Sequence, residues 1–177
     1  LRCYMGDYAG YREACHQMLD LAAASNRPEI AERTAKACLL SPTPPADLDR
    51  LNHLADEALA SPSPYAAWFQ MTKGLAEYRA GHYPASRDWF AKANALDSRW
   101  GTPTVRLLMA MTEFRLGNAT GARTAYRALL EEVDAKLPKP GTDDLGSGPE
   151  NFLVYQIIRR EADATFGASA PTTRPST

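Results

Sequence analysis

The side chains able to do chemistry are few and scattered. His16, His53 and His82 fall in separate segments, and no two stand four apart as zinc ligands on one helix face do. Cys3, Cys15 and Cys38 are spaced by 12 and 23 residues, which fits neither a zinc nor a redox signature. Such thiols are expected to be buried or half-buried packing groups. Glu131-Glu132 and Asp143-Asp144 have the composition for acid–base work. The first pair falls on a charged helix face and the second in a proline and glycine loop, and neither setting lifts a carboxyl toward neutrality. No glycine-rich phosphate loop, G-x-S-x-G elbow or H-R-D and D-F-G elements occur. The sequence therefore predicts no catalytic residue, no metal ligand and no cofactor.

Composition narrows the classes further. The chain has 177 residues, 45% hydrophobic and 23% charged, which is one ordinary globular domain with its own core. Its formal net charge of -1 provides no field to draw it to phosphate, so nucleic acid is not an expected partner. No run approaches the roughly 18 to 20 apolar residues that span a bilayer, so membrane insertion is not expected. Free thiols fit a reducing compartment. The expectation is cytoplasmic, or extracytoplasmic if a parent chain carries a transmembrane helix.

What positions these side chains is a series of helices. Apolar residues recur three and four apart between proline and glycine breaks, and strand signals are nearly absent. The pattern predicts helices at about 8–23, 28–40, 47–60, 65–80, 84–96, 103–116, 119–135 and 150–166. Pro28 and Pro103 suit a first helical turn, where the missing N–H leaves no orphan donor. Gly81 and Gly117 suit sharp turns between antiparallel helices.

The spacing repeats. From Gly74, steps of seven, five, four and three reach Gly81, Ser86, Phe90 and Ala93; from Ala110 the same steps reach Gly117, Ala122, Tyr126 and Leu129. Small residues at the first and third positions let paired helices approach closely, and the aromatic fills the groove against the next unit. A third turn lies at Gly6, from which the later steps reach Tyr11, Cys15 and Met18. Leu51, Ala55 and Ala58 carry a degenerate version. The predicted domain is 1–167: a half-repeat at 1–24, a degenerate repeat at 28–60, repeats at 65–98 and 103–136, and a capping helix at 150–166. Residues 168–177 read as a disordered tail.

At these residues the chain resembles tetratricopeptide repeats. Through GDYAGYREACHQML, PEIAERTAKACLL, ADLDRLNHLADEAL, KGLAEYRAGHYPASRDWFAKANAL, MTEFRLGNATGAR and VYQIIRREAD it resembles, more narrowly, the region after the catalytic domain of large planctomycete-type bacterial serine/threonine protein kinases. The resemblance implies a right-handed α-solenoid of antiparallel helix hairpins with a capping helix. It also implies a scaffold or docking role, with a protein, a peptide or an upstream domain of the same chain as partner. A stand-alone adaptor and a structural spacer without ligand are the alternatives. The concave face would then present Trp68, Met71, Leu75, Tyr78 and Arg79, followed by Thr104, Leu107, Met111, Phe114 and Arg115. Those groups suit a peptide with apolar anchors and an acidic group, although the same residue types also pack between helices. Because the chain starts at Leu1 and enters midway through a hairpin, a catalytic or signalling domain is expected before it. Tyr11, Lys73 and Ser98 depart from the repeat pattern, which prefers a small residue, leucine and proline there. On the last helix, Val154, Ile157, Ile158 and Ala162 are expected on the packed side, and Arg159, Arg160 and Glu161 on another.

Overall fold

The computed structural model describes residues 1–60, 62–96, 102–134 and 149–167. Among them the regular structure is all helical, as the periodicity predicts: α1 (Arg2–Met5), α2 (Tyr8–Ala23), α3 (Pro28–Leu39), α4 (Leu48–Leu59), α5 (Ala66–Arg79), α6 (Tyr83–Ala95), α7 (Thr102–Arg115), α8 (Ala119–Asp134) and α9 (Pro149–Phe166). The boundaries fall within one residue of expectation at most ends. Ser98, the Asp143-Asp144 pair and the 168–177 tail lie outside the described residues.

Three of the turns share one geometry. Gly6, Gly81 and Gly117 have φ of 76, 81 and 92°, the left-handed region that a side chain disfavours. Each glycine N–H donates to the carbonyl three residues back, at Cys3, Tyr78 and Phe114. The N–H of the next residue donates five back, to Arg2, Glu77 and Glu113, at 2.9 to 3.0 Å. This paired pattern satisfies the orphan carbonyls that end a helix. The following helix is capped at once where the sequence permits: Asp7 Oδ1 accepts from Gly10 N–H at 2.9 Å and Asn118 Oδ1 from Gly121 N–H at 3.1 Å.

Helices adjacent in sequence pack in pairs, α3 with α4, α5 with α6 and α7 with α8; α4 on α5 and α6 on α7 join one pair to the next. The alternate helices α3, α5 and α7 also touch in that order, so they form a layer. Gly74 sets the closest approach. A Cβ there would stand 2.6 Å from the Phe90 ring, and Ser86 Oγ of α6 donates to the Gly74 carbonyl at 2.9 Å. In the next pair Ala110, Ala122 and Tyr126 are buried at the matching positions. Phe90 is fully buried, worth about 2 to 3 kcal/mol relative to exposure.

The two describable departures from the repeat pattern are each accommodated by a polar partner. Tyr11 is buried and its hydroxyl donates to the Ala37 carbonyl at 2.6 Å, tying α2 to α3. Lys73 is buried with Nζ 2.7 Å from Asn52 Oδ1, 2.7 Å from Asp56 Oδ1 and 3.1 Å from Glu77 Oε1. No helix among the described residues is long and apolar enough to cross a membrane.

Candidate functional site

The ten residues expected on one face come from the two consecutive layer helices α5 and α7, and the structure brings them together. It also covers most of them. Met71, Leu75, Tyr78, Thr104, Leu107 and Met111 are buried in the common core. Trp68 and Phe114 are half-buried, and Arg115 is exposed. Arg79 has a side chain only 3% exposed. An accessible surface is thus limited to the ends of this face.

Helix α9 accounts for part of that cover. It packs on α7 and α1, elements it does not follow in sequence. Near its first turn, Glu150, Asn151 and Val154 border a cleft with Trp68, and at its far end Phe166 meets Phe114 edge-on at 5.5 Å. Val154, Ile157, Ile158 and Ala162 are buried, as their spacing predicts. Tyr155 and Phe166 are buried too, so the apolar band is wider than one stripe. Glu161, expected on another side of the helix than these, is half-buried. Its two oxygens lie 2.6 Å from Arg79 Nη1 and 2.7 Å from Nη2. The expectation missed this because the partner is 82 residues away.

The Arg79 guanidinium is engaged by a carboxylate and by backbone carbonyls of the protein. Besides Glu161, Nε donates to the Leu39 carbonyl at 2.9 Å and Nη2 approaches the Leu40 carbonyl at 3.4 Å. Arg115, at the same end, donates weakly to the Tyr78 hydroxyl at 3.5 Å, and that contact raises its pKa. Burial raises the pKa of Tyr78. Between α8 and α9, Tyr126 stacks on Phe166 with centroids 4.6 Å apart and its hydroxyl donates to Asp163; burial and that carboxylate raise the phenol's pKa. These contacts bind and orient; none prepares a nucleophile or a base.

Two clefts of about 480 Å³ border α9. One lies between α3, α5 and the start of α9, with Glu29, Arg33, Lys36, Tyr65 and Trp68 on its walls. Lys36 sits 4.7 Å from the Trp68 ring centroid and 2.9 Å from the buried Glu32, whose Oε1 also accepts from the Thr72 hydroxyl at 2.8 Å. The other lies between α1, the start of α2 and the end of α9, with Cys3, Tyr8, Arg115 and Arg160 around it. The sequence singled out Trp68 and Arg115 but missed Lys36, Tyr8 and Arg160, which reach these clefts from other elements.

The three histidines are exposed and apart: His53 pairs with Glu57 at 3.2 Å and His82 with Glu77 at 2.8 Å. No group of three or more His, Cys, Asp or Glu residues suited to a metal occurs among the described residues. Cys15 and Cys38 are buried and Cys3 half-buried. The Cys38 thiol donates toward Cys15, which raises its own pKa and lowers that of Cys15. No protein-family model, curated protein or solved structure matches the chain.

Proposed function

We propose that the chain is a non-catalytic protein-interaction module, a right-handed α-solenoid of tetratricopeptide-like hairpins. It would serve as the regulatory or substrate-docking region of a bacterial serine/threonine protein kinase. The observation that carries the interaction reading is Arg79, a buried guanidinium on a layer helix that holds a helix-borne carboxylate in a two-pronged pair. A surface built to take an apolar helix with one acid is a recognition surface in chemistry as well as shape. The recurring turns at Gly6, Gly81 and Gly117 support the hairpin reading. The kinase assignment rests on the resemblance of sequence, and reading the coding sequence upstream of Leu1 tests it: a catalytic domain there supports the link, and a native start codon at Leu1 leaves a stand-alone adaptor.

A second reading, a structural spacer, is favoured by the burial of Met71, Leu75, Leu107 and Met111 within the core. Affinity capture separates the two. The full chain and a Trp68→Ala/Arg115→Glu variant, matched for helicity by circular dichroism, are immobilised and exposed to extract of the source organism. A protein held by the wild type and reduced about tenfold or more by the variant supports an interaction module. Identical captured sets would leave the spacer.

A further inference from the structure

We propose that Cys15 and Cys38 form a dithiol that hydrogen peroxide closes to a disulfide, locking α2 onto α3 while Cys3 stays a free thiol. The device is independent of what the module binds.

The setting of the pair in the repeat is the first observation. In the two later units the small residue of the second helix is Ser86 or Ala122, and the aromatic one turn further on is Phe90 or Tyr126. The first unit inverts the sizes, with Tyr11 at the small position and Cys15 at the aromatic one. Tyr11 reaches across to α3, where its hydroxyl donates to the Ala37 carbonyl at 2.6 Å and accepts from the Ser41 N–H at 3.4 Å. That clamp fixes α2 against α3 beside Cys38, the residue next to Ala37. One turn along α2 from Tyr11, the Cys38 Sγ lies 4.0 Å from the Cys15 carbonyl oxygen, and its thiol is hydrogen-bonded to the Cys15 side chain. The two residues are 2% and 0% exposed. A bridge spans about 4.4 to 6.8 Å between Cα atoms, so a sulfur this close to the other residue's backbone needs only side-chain rotation to form one.

The chemistry follows from the direction of the thiol hydrogen bond. The Cys38 proton favours the Cys15 thiolate and disfavours its own loss, so Cys15 is the nucleophile. The thiolate attacks one peroxide oxygen and the O–O bond breaks. The departing hydroxide recovers the proton that Cys15 shed and leaves as water, with Cys15 now a sulfenic acid. The Cys38 sulfur attacks that sulfur; the S–S bond forms, the S–O bond breaks, and hydroxide leaves with the Cys38 proton as a second water. Two thiols are oxidised and one peroxide is reduced. Tyr11, which touches Cys15, also lines a surface cleft of about 380 Å³ with Arg12 and Ser41, and a peroxide, little larger than water, enters along that side chain. Cys3 stands apart, half-buried in another cleft beside Arg160.

The reduced full chain is treated with hydrogen peroxide while folded, its remaining thiols are labelled with N-ethylmaleimide in urea, and the tryptic peptides are mapped without reduction. The expected product has lost two hydrogens and links peptide 13–33 to peptide 37–50 at least about tenfold more often than either is linked to Cys3. Oxidation in concentrated urea should instead favour Cys3 with Cys15, because their separation of 12 residues closes more readily than 23. The same distribution in both states, a main bridge to Cys3 in the folded chain, or sulfinic acid without a bridge overturns the proposal. The bridged chain should also show a urea midpoint higher by about 1 M or more, reversed by dithiothreitol. An unchanged or lower midpoint overturns the lock. In Cys38→Ala the sulfenic acid at Cys15 should persist and be trapped by dimedone, whereas the wild type should give at least about tenfold less adduct. Equal trapping overturns the role of Cys38 as the resolving thiol. If Cys38→Ala fails to fold, the peptide map of the unmodified chain still decides the matter.

Discussion

Lys73 occupies a place where a helical-hairpin core usually takes leucine, and three acceptors from two helices converge on its Nζ. One of them, Glu77, also receives His82 Nδ1 at 2.8 Å. Burial pushes the Glu77 carboxyl up, but the hydrogen bonds from His82 and Lys73 outweigh it and hold the carboxyl below the usual glutamate range. A carboxyl whose pKa is depressed in the folded state contributes stability that is complete above the unfolded value of about 4.3 and is lost as pH falls through the native value. Glu77→Gln should therefore lower stability by about 1 kcal/mol at neutral pH. The gap to wild type should close in urea melts taken progressively below about pH 4. A gap that stays constant through the acid range would show that Glu77 acts by shape and not by charge.

Among the helices, the separation of α5 and α6 is set by what is missing at Gly74. Alanine there would improve helix propensity by about 1 kcal/mol. Its Cβ, however, would stand 2.6 Å from the Phe90 ring, a contact that must be relieved by moving a fully buried side chain. Overpacking of this kind costs about 1 to 3 kcal/mol, so Gly74→Ala should lower the urea midpoint, and Phe90→Leu in the same chain should recover part of the loss in a double-mutant cycle. A stabilised Gly74→Ala would mean that other residues set the spacing. Gly74, Ser86 and the three turn glycines were readable in the sequence because local geometry fixes their types: a positive φ or a close approach leaves few choices. The polar partners of Lys73 and Tyr11 were not readable, since Asn52, Asp56 and the Ala37 carbonyl belong to other helices. For the candidate site the resemblance named residues of α5 and α7, most of which the structure buries. It could not say what lies against them, because the seating of α9 depends on contacts between residues far apart in the chain.

Over the whole molecule, the distinguishing feature is that α9 meets both the middle and the beginning of the chain. Stacked helical repeats are ordinarily quasi-one-dimensional, with each unit touching only its neighbours. Here Arg160 donates to the Tyr4 carbonyl at 2.6 Å across 156 residues and lies 4.0 Å from the Tyr4 ring centroid, so α1 is pinned to α9. Cys3 reports on that seam: it is half-buried beside Arg160 in the second cleft, and burial raises its pKa, whereas Cys15 and Cys38 lie deeper between α2 and α3. Arg160→Gln removes the stacked cation and its hydrogen bond, a contribution of about 0.5 to 1 kcal/mol at an exposed site. The change should free α1 and raise the rate of Cys3 alkylation about two- to fivefold, the factor that such an energy permits, with Cys15 and Cys38 unchanged. Loss of the Arg160 charge by itself works the other way, since the nearby cation favours the Cys3 thiolate, so a faster rate reports opening of the seam and not altered acidity. Equal acceleration at all three cysteines, followed by mass spectrometry of the labelled peptides, would instead show that the contact supports the whole molecule and that α1 does not move separately.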